Sequence, residues 1–385
     1  MAGLRCLCLV LTFVFAMPAS AKPVLEPVAF ADIAGWRGHD FGAAFETFKR
    51  SCSEILATGH GFGRDVRFGG VREDWTAACA AAAGATSPRN FFEAKFAAFR
   101  VHDPVRPEGL FTGYYEPEAE GSLTPSPDYP VPVYRKPHDL TTFDDAAIAA
   151  TGLHYGRIAD GAPQGYFTRR EIENGALAGR GLEILWLKDW ADAFFIHIQG
   201  SGRIRLADGS LIRLAYSAKS GQPYMGIGRL LVDRGTLSET DMSMQAIRAW
   251  MKTDPDGARA VMQENHSFIF FRRVDVDDPA LGPPGAQKVN LTPRHSLAID
   301  RGIWMFGTPF WIATAAPMGE AAKLEPFTEL MVGQDTGTAI KGHVRGDVFW
   351  GARPEAALTA GHMKSPGSMI VLLPNALARR LSANP

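Results

Sequence analysis

Three aspartates in the C-terminal third stand at the edges of apolar, strand-like runs: Asp300 in SLAIDRG, Asp335 in LMVGQDTGTAIKG and Asp347 in VRGDVFWG. A carboxylate is costly to bury without a purpose, so such placements mark either turn caps or acid chemistry. Asp-Thr-Gly and Arg-Gly-Asp are ordinary turn neighbourhoods, and each aspartate taken alone reads as a cap. Taken together, the three can converge on one pocket, where mutual repulsion and desolvation would keep one of them protonated at neutral pH. Cleavage of a glycosidic bond uses such an acid. Asp347 is the best placed, because alternation along DVFW sets it beside Phe349, and an aromatic neighbour desolvates a carboxyl.

Other chemistries find less support. The ten histidines form no HExxH or other paired spacing and there is no CxxC, so neither a metal nor a cofactor is expected. QGSGR around Ser201 lacks the first glycine of a nucleophile elbow. It reads either as a plain turn or as a place where backbone amides, Gln199 and Ser201 meet a ligand. No glycine-rich loop opens a helix in a βαβ setting, which argues against nucleotide binding. Lys+Arg 40 against Asp+Glu 41 gives no field for nucleic acid or an anionic membrane, and suits an uncharged or mixed partner such as a glycan.

A second group of residues could hold that partner. In FTGYYEPEAEG, the residues Phe111, Thr112, Tyr114, Tyr115 and Glu116 combine flat apolar faces with hydrogen-bonding groups, as sugar sites do. The alternative is a buried strand that ends at Pro117. Tyr216 and Tyr224, in LAYSAKSGQPYMGIGR, carry the same two readings.

Elements must position these groups. Apolar residues spaced by three and four predict helices over Phe41 to Leu56 and Trp75 to Ala83, and Ser87-Pro88 predicts the start of another over Phe91 to Phe99. From Phe111 onward, β-branched and aromatic runs alternate with Gly, Pro and Asp turns. YPVPVYRKP, YFTRREIENG, LEILWLKDWADAFFIHIQGSG and RIRLADGSLIRLAYS all carry this strand texture, with a hairpin at Asp208-Gly209. Helices return over Ser238 to Met251, capped by Ser238, and over Pro255 to Gln263, capped by Asp254. SFIFFRRV, SLAID, FGTPFWIATA, ELMVGQ, DVFWG and SMIVLLP then resume the β texture, and DDPALGPPGAQ (277–287) reads as an interdomain loop. Many short strands with few helices predict a mainly β protein of barrels with peripheral helices.

Arg5, the apolar stretch from Leu7 to Met17 and the triplet Ala19, Ser20, Ala21 predict a cleavable signal peptide over residues 1–21. At about 11 residues the stretch is short of the roughly 20 that span a bilayer, and no later segment reaches that length. Cys6 and Cys8 would leave with it. Cys52 and Cys79 remain, and the sequence allows either a disulfide or two buried thiols.

The ordered blocks GLFTGYYEP, FIHIQGSGRI, LAYSAKSGQPYMGIGR, NHSFIFFR, QDTGTAIKG and GDVFWG resemble the membrane-bound lytic murein transglycosylase A family, over about Leu110 to Leu373. The resemblance implies cleavage of the β-1,4 bond between N-acetylmuramic acid and N-acetylglucosamine without water, leaving a 1,6-anhydro ring. It implies a double-psi β-barrel domain from residues 22–116 and 275–385, whose three-aspartate region spans about 290–373, and a second β-barrel domain inserted over 117–274. It makes Asp347 the catalytic acid, with Asp335 and Asp300 polarising and orienting it. Peptidoglycan glycan strands become the partner, alongside cell-wall synthesis enzymes, for a monomer in the periplasm. Two features depart from the family pattern. No small-residue lipobox precedes a cysteine at the end of the apolar stretch, which leaves an outer-membrane anchor in doubt. Thr336-Gly337-Thr338 follows Asp335 where two glycines are more usual, and the spacing of 12 to Asp347 is about one longer. A glycoside hydrolase on the same barrel and a non-catalytic wall-binding protein are the competing readings.

Overall fold

Burial along the apolar runs of the C-terminal third builds one long hairpin, Pro309–Met318 against Lys323–Asp335, paired from Pro309 opposite Val332 to Met318 opposite Lys323. In this computed structural model, which describes residues 24–104, 107–240, 242–319 and 321–383, that hairpin seeds a closed ring. Lys364–Pro374 pairs with its first strand, and Ser296–Ala298 lies parallel to its second. Arg345–Phe349 pairs with Ser296–Ala298 on one edge and runs parallel to Gly109–Tyr114 on the other. Gly109–Tyr114 then pairs back to Lys364–Pro374, so six strands return to their start. Phe96–Val101 and Leu25–Val28 extend the sheet outward from Lys364–Pro374. Phe310, Ile312, Leu297, Val348, Val371 and Leu373 on one face of the ring, and Leu330 and Val332 on the opposite face, are each fully buried in one core. Closure satisfies the strand edges that would otherwise invite aggregation.

A second, six-stranded sheet comes from the middle of the chain, in the order Ile269–Val274, Leu211–Lys219, Ser201–Arg205, Glu118–Ser122, Glu183–Leu187, Val131–Tyr134. A bridge between Arg135 and Phe271 closes it into a barrel around Val131, Leu185, Leu187, Ile204, Leu214 and Phe271. The chain is mainly β with peripheral helices, as expected. The segment of 1–21 expected to be a signal peptide lies outside the described residues. Among the described residues, no helix is long and apolar enough to cross a membrane.

The helix Gly42–Ala57 buries Ala44, Phe45, Phe48, Cys52 and Ile55 on one face, as its spacing predicts. It is joined to Arg72–Ala82 by a disulfide between Cys52 and Cys79, which resolves the two readings of that pair. Pro88 opens the next helix at its first turn, but that helix stops at Lys95 and Phe96 begins a strand.

Three other expectations are corrected. FTRREIENG is helical, not extended: Thr168 caps the turn Arg169–Glu171, which continues into Ile172–Ala176. WADAFFIHIQ forms the helix Trp190–Gln199, capped by Asp189 accepting from the Asp192 N–H. Its apolar residues are buried between the inserted barrel and a helical layer, so they run on without a polar face and mimic a strand. The helix expected from Ser238 starts at Met244, where Ser243 accepts from the Ala246 N–H. Asp254 caps Pro255–Met262 as predicted.

The two barrels are joined where the chain leaves at Glu116 and returns after Val274. Glu116 is completely buried and takes Arg213 Nε at 2.7 Å and Arg203 Nε at 2.7 Å. Both guanidinium groups also donate to the Leu281 carbonyl on the returning segment, at 2.8 and 3.2 Å. The expected interdomain loop is thus fastened to the outgoing strand through two charge-assisted pairs.

Candidate active site

The strand Ser296–Ala298 is flanked on both sides by strands that carry aspartates. Ala298 is the Cα partner of Asp335 on one side and of Asp347 on the other. Two strand spacings set these Cα atoms about 10 Å apart. Asp335 reaches this position through a bulge: Leu297 pairs with Gly333 and Ala298 with Asp335, so Gln334 is the extra residue. A bulge re-aims the following side chain, and here it brings Asp335 opposite Ala298.

Gln334 is held so that the bulge has one geometry. It is fully buried, its Nε2 donates to the Thr47 carbonyl at 3.0 Å and to Ser51 Oγ at 2.8 Å, and its Oε1 accepts from Ser296 Oγ at 2.5 Å. The first helix therefore anchors the residue that precedes Asp335. Gly346, before Asp347, lies where a Cβ would meet Leu297 Cδ1 at 2.9 Å and the Phe111 ring at 3.0 Å.

Asp347 stands beside Thr112 on the neighbouring strand, and the Thr112 hydroxyl donates to Asp347 Oδ1 at 2.5 Å. That hydroxyl accepts from Arg345 Nη2 at 2.8 Å. Arg345 is two residues before Asp347 in the same strand, so the two side chains share a face. A guanidinium can only donate, which leaves the Thr112 proton for the carboxylate. Burial raises the Asp347 carboxyl above its usual range, against the Arg345 charge and the Thr112 hydrogen bond.

Asp335 is engaged on both oxygens. Oδ1 accepts from the Ala286 and Thr336 amides, each at 2.9 Å, and Oδ2 from the Tyr114 hydroxyl at 2.9 Å. Burial raises it too, the three hydrogen bonds lower it, and the Asp347 charge raises it. Tyr114 packs on Phe349 with ring centres 5.2 Å apart, and burial together with Asp335 and Asp347 holds its hydroxyl protonated. Asp300, the most buried of the three, turns to a different set: the amides of Gly302 at 3.0 Å and Gly342 at 3.1 Å, and Lys341 Nζ at 3.4 Å. Its polar contacts go to its own turn and to the loop between the other two aspartates rather than to their carboxylates. Lys341 is both an ion-pair partner and exposed.

The remaining candidates divide. Tyr224 is 41% exposed and feels the charge of Asp347, while burial raises its hydroxyl; it stands on the inserted barrel's side of the site. Tyr216 is 46% exposed. Gln199 Oε1 accepts from the Tyr115 N–H at 3.0 Å, which ties the inserted helix to the outgoing strand. Ser201 and Tyr115 are buried, and Tyr115 packs in the main core. Phe111 and Glu116, read above with the sugar-binding group, are wholly buried: Phe111 fills the core and Glu116 joins the barrels. Arg345 was missed, although its place at i−2 of Asp347 in a strand was visible in VRGD. Among the described residues, no group of three or more His, Cys, Asp or Glu could hold a metal ion.

The pattern described as the MltA specific insert domain matches residues 110–272, and the 3D domain matches 295–373. Membrane-bound lytic murein transglycosylase A of Escherichia coli strain K12 is 34% identical over 268 residues, which cover 68% of this chain and 65% of that relative. The crystal structure of a membrane-bound lytic murein transglycosylase from Agrobacterium tumefaciens superposes with a TM-score of 0.82 at 35% identity, covering 92% of this chain and 99% of that one. The E. coli MltA structure with bound chitohexaose has a TM-score of 0.63 at 27% identity, covering 92% of each. With both of its domains matched in order and near-complete coverage of a solved relative, the chain belongs to the membrane-bound lytic murein transglycosylase A family.

Proposed function

We propose that this protein is a peptidoglycan lytic transglycosylase that cleaves the β-1,4 bond between N-acetylmuramic acid and N-acetylglucosamine with one catalytic residue, Asp347. The observation that carries the reading is the directed contact Arg345 to Thr112 to Asp347 Oδ1. With Oδ1 committed as an acceptor, the acidic proton belongs on Oδ2, and burial favours its retention. Oδ2 protonates the glycosidic oxygen as the bond to C1 breaks. The resulting carboxylate then takes the proton of the muramic C6 hydroxyl as that oxygen attacks C1, which closes the 1,6-anhydro ring and restores the acid.

A hydrolase needs a second carboxylate, as nucleophile at about 5 Å or as base at roughly 6.5 to 9.5 Å. Asp335 is poorly suited to that work because three donors already occupy its oxygens, and Asp300 is committed to the Lys341 loop. In this reading both are positioning residues: Asp335 sets the local charge through Tyr114, and Asp300 holds the loop that leads into the Asp347 strand. Tyr216 and Tyr224 offer exposed rings for sugar faces, with Thr112, Tyr114, Tyr115, Gln199 and Ser201 shaping the groove behind them. Mass spectrometry of digested sacculi tests the proposal. Anhydromuropeptides from the wild type and none from Asp347→Asn, a loss of at least about 10²-fold, are expected. Reducing ends would turn the assignment to a hydrolase, and binding without release would turn it to a wall-binding protein.

The wider reading goes with it. Segments 22–116 and 275–385 would form a double-psi barrel domain, supported by the parallel pairings of Ser296–Ala298 with Lys323–Asp335 and of Arg345–Phe349 with Gly109–Tyr114. Residues 117–274 would be the inserted domain. Export through a leader over 1–21 to the periplasm is supported by the Cys52–Cys79 disulfide, a bond kept in oxidising compartments. The protein would act on glycan strands as a monomer.

A further inference from the structure

Beside the aspartates lies a group of cations that the proposed mechanism leaves unused. Arg301 follows Asp300 directly, is exposed, and its carbonyl accepts from Arg64 Nη1 at 3.0 Å. The Arg64 guanidinium lies over the Phe306 ring at 5.2 Å, and its Nη2 is buried without a hydrogen-bond partner. From the inserted barrel, Lys219 reaches across to Thr338 Oγ1 at 3.5 Å, three residues before Lys341. Burial lowers the Lys219 ammonium, and the charges of Arg301 and Lys341 lower it further. Burial likewise lowers Arg64, with Arg301 adding to it. Among the described residues, no carboxylate pairs with Arg64, Arg301 or Lys219; Asp300 answers only Lys341.

Like charges held together from two barrels disfavour one another, and an arrangement of this kind is relieved by an anion. The chain as a whole is nearly neutral, so the cluster is local and not a by-product of a basic protein. It also lies near an exposed tyrosine proposed to face the sugar, because Tyr216 feels the charge of Arg301. A glycan of N-acetylglucosamine alone offers such a site nothing. Muramic acid does, through its lactyl side arm, which ends either in a free acid or in a peptide stem with carboxylates of its own.

We propose that Arg301 and Arg64 on one wall and Lys219 on the other form a subsite for the carboxylates borne by the lactyl arm of muramic acid, placing the arm beside Asp300. This rests on the glycan-cleaving reading above, and makes the rim the element that tells muramic acid from glucosamine. Guanidinium forks suit carboxylates, and one lost charge-assisted hydrogen bond corresponds to about a tenfold loss of affinity or more.

Binding measured on the full chain carrying Asp347→Asn, with and without Arg301→Gln and Lys219→Gln, tests it. The probes are peptide-bearing strands, the same strands stripped to the free lactyl acid by an amidase, and uncharged chitohexaose. The rim substitutions should weaken carboxylate-bearing strands at least about tenfold and leave chitohexaose unchanged. Added salt should erase the preference in the chain without rim substitutions. A loss confined to peptide-bearing strands makes the stem the source of the anion, and an equal loss on stripped strands makes it the lactyl acid. Equal weakening of chitohexaose, or no weakening of any probe, overturns the subsite. Reducing ends from the wild-type enzyme would overturn the transglycosylase reading while leaving the binding difference intact, so the two failures are distinguishable.

Discussion

At the scale of single residues, the direction of one proton decides the chemistry of the site. Because Arg345 donates to Thr112, and Thr112 donates to Asp347, the pair stabilises the carboxylate form of an acid that burial pushes the other way. Removing either partner therefore raises the Asp347 carboxyl further. In Thr112→Val and Arg345→Met, the limb of the kcat profile that falls with rising pH should move to higher pH. The plateau should drop about five- to tenfold, the cost of a lost hydrogen bond of about 1 kcal/mol. A merely structural arginine would lower yield or stability and leave that limb in place. Asp347 was legible as a candidate because an aspartate in an apolar strand is costly. Arg345 was hidden by its own type, since an arginine in such a strand reads as exposed. The bulge at Gln334 was equally hidden, because it depends on Thr47 and Ser51, far away in sequence.

Among elements, the joint between barrels carries an unusual concentration of buried charge. Glu116 is enclosed with Arg213, also fully buried, and the largely buried Arg203, and both arginines grip the Leu281 carbonyl of the returning chain. Breaking such a set by removing one partner costs about 3–5 kcal/mol, because the other charge stays buried. Glu116→Gln, which preserves shape, should lower the urea midpoint accordingly and loosen the two barrels before either unfolds. A single transition that loses far less than this would show that the charges are solvated. The strands of the first barrel could be read from β-branched runs bounded by turns, because each has its own periodicity. Trp190–Gln199 could not, since a helix buried on nearly all sides has no polar face to betray its period.

For the molecule as a whole, two long-range terms set stability. The disulfide closes a separation of 27 residues, and in chain-entropy terms this contributes about 3.5 kcal/mol, so Cys52→Ser with Cys79→Ser should lose roughly that amount in urea unfolding. The acid site works in the opposite sense. Asp347 and Asp335 are raised in the folded protein, so the unfolded chain releases these protons first, near the ordinary aspartate value of about 3.9. Between that value and the raised folded ones the folded state binds more protons, and stability falls as pH rises through this window. By neutral pH the folded protein bears the cost accumulated through this window. Asp347→Asn removes that cost while its side-chain oxygen still accepts from Thr112. The substitution expected to abolish turnover should therefore raise Tm at pH 7, by roughly 2 °C for each kcal/mol recovered, and give no advantage below about pH 3.5. Thermal unfolding of the two proteins across that range checks it, and an advantage that is absent at pH 7 would mean that Asp347 is solvated and an ordinary acid.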